Sequence, residues 1–75
     1  MNEILTAIQD HPRRIMIANA ATGATINILQ LDGDLITSPI VVGDACTFTV
    51  QIGNTKESRT HNMRTGALIN KFVIN

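Results

Sequence analysis

Apolar and polar residues alternate without a break through Cys46-Thr47-Phe48-Thr49-Val50-Gln51-Ile52, the pattern of a strand with one buried face. Gly43-Asp44 and Gly53-Asn54 bound this stretch, and both pairs favour turns. Other segments are predicted around it. Asn2 to Asp10 reads as a short amphipathic helix with Ile4, Leu5 and Ile8 on one face, ended by His11-Pro12 because proline cannot continue a helix. Arg13 to Asn19 reads as a first strand through Ile15-Met16-Ile17, and Ala20 to Gly23 as a turn. From Ala24 a second strand carries Ile26 and Ile28 in one phase and Leu29 and Leu31 in the other. That change of phase predicts a strong bend near Ile28 and Leu29.

Asp32-Gly33-Asp34 predicts a hairpin into a third strand, Leu35 to Val42, interrupted by Pro39. Asn54 to Asn62 holds no apolar residue and reads either as a long hairpin loop or as solvated strand ends. Leu68 to Ile74 closes the series as a strand apolar on both faces. No internal repeat is read. The expectation is a single domain over residues 1–75, mainly β: a short N-terminal helix, then a five-stranded, strongly bent antiparallel sheet.

The length of the chain points to assembly. A chain of 75 residues buries only about 60% of the surface it exposes when unfolded, and small domains make up the deficit with disulfides, metals or oligomerisation. The lone Cys46 cannot form an internal disulfide, and two histidines offer no metal-ligand cluster. Oligomerisation is the supplement left. Cys46 to Ile52 is therefore expected to pair across a subunit boundary with the last strand of the next copy. Phe48, Val50, Ile69, Phe72 and Val73 are the interface residues, and Thr47, Thr49 and Gln51 become partly covered. Six acidic and six basic residues balance to zero net charge, so no global field draws the chain to nucleic acid or to an anionic membrane. The apolar runs are far shorter than a membrane span, and an unexported, cytoplasmic protein is expected.

The order of elements, with Gly23 in the first hairpin, Asp34-Leu35-Ile36-Thr37-Ser38 before a strand and Met63-Arg64-Thr65-Gly66 before the last strand, resembles the Sm/LSm/Hfq family. The resemblance implies a small SH3-like barrel, a ring-shaped homo-oligomer and single-stranded RNA at its pore. By the same resemblance Asp34, Thr37, Ser38, Arg64 and Thr65 line a nucleotide pocket. The chain departs from the family where Ser38 replaces an asparagine, Thr37 a stacking residue and Thr65 a glycine, and stacking supplies much of single-strand affinity. The alternative is a non-catalytic structural subunit of a virion or fibre whose chemistry is self-association. Few aromatics, many Asn, Thr and Gly, and balanced charge fit it.

Other candidate chemistry has a plain structural reading. Lys56, Arg59, His61 and Arg64 form a basic tract diluted by Glu57, more a solvated loop than a phosphate site, and Arg13-Arg14 a soluble strand entrance. Asp32, Asp34 and Asp44 suit turns, with too few oxygen ligands for a cation. Cys46 is a nucleophile only if His11 or His61 folds against it, and otherwise a small core residue. No enzyme, cofactor, metal or small-molecule substrate is expected.

Overall fold

Eight β-strands and no helix make up the described residues, 4–74, of the computed structural model. They are β1 (Leu5–His11), β2 (Arg14–Asn19), β3 (Thr25–Gln30), β4 (Asp34–Leu35), β5 (Ile40–Val42), β6 (Ala45–Ile52), β7 (Thr55–Asn62) and β8 (Leu68–Ile74). The first sheet has the order β1-β2-β3; the second runs β4-β6-β7-β8, with β5 also paired to β6, and all pairs are antiparallel. The sheets pack face to face and do not close into a barrel. Leu5, Ile15, Ile17, Leu29 and Leu31 meet Cys46, Phe48, Val50 and Met63 in one core.

The expected N-terminal helix is replaced by β1; Asn2 and Glu3 lie outside the described residues. Its apolar spacing suits either period, but a helix this short is unstable without extensive packing. As a strand, Leu5 to Gln9 finds a full ladder with Ile15 to Asn19 across the Pro12-Arg13 turn. The predicted five-stranded barrel falls with the helix. Of the two readings of Asn54 to Asn62, loop or strand, the strand holds: β7 pairs along its whole length with β6, from Ala45↔Asn62 to Ile52↔Thr55. Its polar side chains sit at the margin of the core.

Asp32-Gly33-Asp34 does not join two neighbours in a hairpin. It carries the chain from one sheet to the other, fastened by Leu31 N–H to the Arg13 carbonyl and Leu35 N–H to the Pro12 carbonyl, each at 2.8 Å. Gly33 is needed for space, since a Cβ there would lie 2.6 Å from both the Gln51 carbonyl oxygen and Ile52 Cγ1. The phase change in β3 needs no bend at Ile28. Ile28 faces outward at 50% exposure while Leu29 is buried; the register irregularity lies at Ile26, between the pairs Ile17↔Asn27 and Ala18↔Thr25.

The fold also reveals an internal repeat. Asn-x-x-Thr-Gly-Ala-x-Ile-Asn occurs at residues 19–27 and again at 62–70, and the two segments make the same turn. Asn19 Oδ1 accepts from the N–H groups of Ala21 and Thr22, as Asn62 Oδ1 does from Arg64 and Thr65. Thr22 and Thr65 hydroxyls accept from Ala24 and Ala67 N–H. Gly23 and Gly66, at φ 77° and 79°, close the turns in a region favouring glycine. After each turn the same residue, Ile26 or Ile69, is bulged out of the ladder. The meander β1-β2-β3 is thus repeated as β6-β7-β8.

Candidate functional site

Residues opposite each other in a ladder share a face, so register assigns every side chain of the second sheet. Cys46, Phe48 and Val50 face the core, and His61, Arg59 and Glu57 stand beside them on β7. The other face carries Thr47, Thr49 and Gln51 of β6, Thr60, Ser58 and Lys56 of β7, then Asn70, Phe72 and Ile74 of β8. On the first sheet the outward row runs Ile8, Met16, Ile28 across the three strands.

Each meander carries an apolar surface, and a third patch, Ile36, Ile40, Val41 and Val42 at 37–72% exposure, lies on and before β5. On β8, the last strand in the sheet order, Leu68, Ile69, Phe72, Val73 and Ile74 are 39–58% exposed. On the first sheet, Ile8, Ile26 and Ile28 are 39–50% exposed. Of the five expected interface residues, Ile69, Phe72 and Val73 lie on the β8 surface. Phe48 and Val50 do not: at 2% and 0% exposure they are core. Nor can β6 pair with another copy, because β7 flanks it on one side and β4 and β5 on the other.

The residues assigned to a nucleotide pocket are not one cluster within a chain. Asp34 is opposite Gln51 and bonded to Arg13 Nε at 2.9 Å, whereas Arg64 reaches Asp44 Oδ2 at 3.2 Å, beside the other end of β6. Those ends are roughly 20 Å apart at the rise of a strand. Thr37 accepts from Thr49 N–H at 2.9 Å, closing the gap between β4 and β5, and Thr65 is occupied in its turn. Ser38 is exposed.

β7 holds a polar cluster at the margin of the core. Arg59 Nη1 donates to Asp32 at 2.7 Å and Nη2 to Glu57 at 3.0 Å, with only 11% of the Arg59 side chain exposed. The bond from Arg59 holds the Asp32 carboxyl below the usual carboxylate value, against a weaker opposing effect of burial. His61 stacks on Phe48 with ring centroids 5.5 Å apart and bonds the Gly66 carbonyl through Nδ1 at 3.0 Å. Cys46 does oppose His61 in the ladder, but it is fully buried and burial pushes its thiol up, the reverse of what activates a nucleophile.

Among the described residues no group of His, Cys, Asp and Glu is placed to hold a metal ion, and no helix is long and apolar enough to cross a membrane. No protein-family model matches the chain, and no curated protein matches it. The surface overlooked in the sequence is Ile8-Met16-Ile28. The signal for it was the repeated Asn-x-x-Thr-Gly-Ala-x-Ile-Asn, which aligns the two meanders and their faces.

Proposed function

We propose that the chain is a non-catalytic structural subunit that assembles with copies of itself, as a virion or fibre component does. The carrying observation is β8, whose five large apolar side chains stay 39–58% exposed. Such a strand, apolar on both faces, is an association and aggregation hazard in a monomer. Covering the exposed half of each side chain contributes about 1 kcal/mol, or roughly 5 kcal/mol per copy over β8. Zero net charge leaves no long-range repulsion against association.

A ring around single-stranded RNA draws less support, because Asp34 and Arg64 stand at opposite ends of β6. Size-exclusion chromatography with light scattering tests the proposal: the expected mass is a multiple of the 8.1 kDa chain. A monomer across micromolar concentrations overturns it. Saturable, salt-sensitive binding of labelled oligo-uridine by the assembled protein would favour the RNA ring instead.

A further inference from the structure

The exposed apolar surfaces of the two meanders are related by the internal repeat. Aligning the turns at Asn19 and Asn62 places Ile15 and Ile17 of the first sheet in correspondence with Ser58 and Thr60 of the second, and Leu29 with Phe72. In the first meander this face is the buried one. Ile15, Ile17 and Leu29 are covered by the second sheet, which uses its Phe48 face. In the second meander the corresponding face is open at β8, with Phe72 57% exposed, while Ser58 at its centre is buried at 9% by its neighbours.

The covering face has its own counterpart. Ile8 is opposite Met16 as Phe48 is opposite Arg59, and Met16 is opposite Ile28 as Arg59 is opposite Lys71. The outward face of the first sheet is therefore the repeat-equivalent of the face that covers the core. It carries Ile8, Met16 and Ile28 where its counterpart has Phe48, Arg59 and Lys71, so it is the more apolar of the two on β2 and β3.

Resting on the reading of the chain as a self-assembling subunit, we propose that copies stack head to tail. The outward face of one copy's first sheet, Ile8, Met16 and Ile28, lies on the outward face of the preceding copy's second sheet, Thr49, Phe72 and Ile74. The contact repeats between chains the packing already made within each chain. Layers then alternate, first sheet on second sheet, through the assembly, and one contact covers the outward row of the first sheet together with Phe72 and Ile74; Leu68 and Val73, opposite His61 and Glu57, lie on the other face of β8. Within the chain Met63 and Gly66 of the second turn lie over β3, where Asn27 Nδ2 donates to the Met63 carbonyl at 3.5 Å. At the junction the first turn takes that place, with Ala20 presented to Asn70. Consistently, a Cβ at Gly23 would meet nothing within 4 Å in a single chain, whereas one at Gly66 would meet Asn27 at 3.1 Å. A heterologous contact of this kind propagates into a filament or closes into a ring.

The test blocks each half of the contact separately, with Ile28→Glu on one face and Phe72→Glu on the other. Both positions are at least half exposed, and far-UV circular dichroism with a cooperative melt checks that each variant is folded. Light scattering should show each variant monomeric and their equimolar mixture at twice the 8.1 kDa chain mass, because the mixture retains one intact pair of faces. If Phe72→Glu is monomeric while Ile28→Glu assembles as the unmodified chain does, the second sheet associates with itself and head-to-tail stacking is overturned. If both variants still assemble, or if the mixture stays monomeric, it is overturned as well. A monomeric unmodified chain would remove self-assembly itself.

Discussion

Replacing Arg59 by methionine tests how the polar strand β7 is held against the core. Methionine keeps much of the side-chain bulk beside Phe48 but removes the bonds to Asp32 at 2.7 Å and to Glu57 at 3.0 Å. Exposed ion pairs contribute about 0–1 kcal/mol, and breaking buried ones costs about 3–5 kcal/mol. This arrangement lies between those limits, since Glu57 is 16% exposed and Asp32 68%. The loss should be about 2 kcal/mol, mostly from stranding Glu57. A chain of this length has total stability of about 4–11 kcal/mol, so the effect is large. Urea unfolding followed by far-UV circular dichroism is the assay, because the protein has no Trp or Tyr. Protein concentration must be matched, since assembly adds to apparent stability. Adding Glu57→Gln to Arg59→Met should recover about 1 kcal/mol. A loss below about 0.5 kcal/mol for Arg59→Met, or strictly additive single and double variants, would refute the reasoning.

Three further outcomes are expected. Gly33→Ala should destabilise by about 2 kcal/mol in the same urea assay, since its Cβ would overlap the Gln51 carbonyl at the sheet crossover; unchanged stability would mean the crossover is loose. Asp32 has a lowered pKa, chiefly through Arg59, so its contribution is present above the ordinary carboxylate value and lost as pH falls through the lowered one. Asp32→Asn should thus flatten acid destabilisation below about pH 4 by less than about 0.5 kcal/mol, the carboxylate being mostly exposed. Cys46, fully buried with its thiol pushed up, should react with an aromatic disulfide reagent only as fast as the fold opens, and rapid native labelling would contradict its place in the core.

Alternation made β6 readable, and the termini of β2 and β8 followed from Asn19, Pro12 and the apolar run Leu68 to Ile74. β1 was not readable, because the spacing of Leu5 and Ile8 fits a helix as well as a strand, and only the ladder with β2 decides between them. β7 was hidden for the opposite reason. It has no apolar residue, and its strand conformation comes from eight paired positions on β6, a long-range fact. Gly33 read as a turn glycine but serves close approach. On the candidate surface, Ile69, Phe72 and Val73 were legible as apolar residues in a strand greasy on both sides. Ile28 was not, since its outward phase mimics a bend in the sequence, and only the bulge at Ile26, set by pairing with β2, accounts for it.

Sedimentation velocity over a hundredfold dilution series reads self-association without labels. Species at multiples of the 8.1 kDa chain mass are expected, dissociating on dilution and vanishing with Phe72→Glu. A single monomeric boundary at every concentration would contradict self-association.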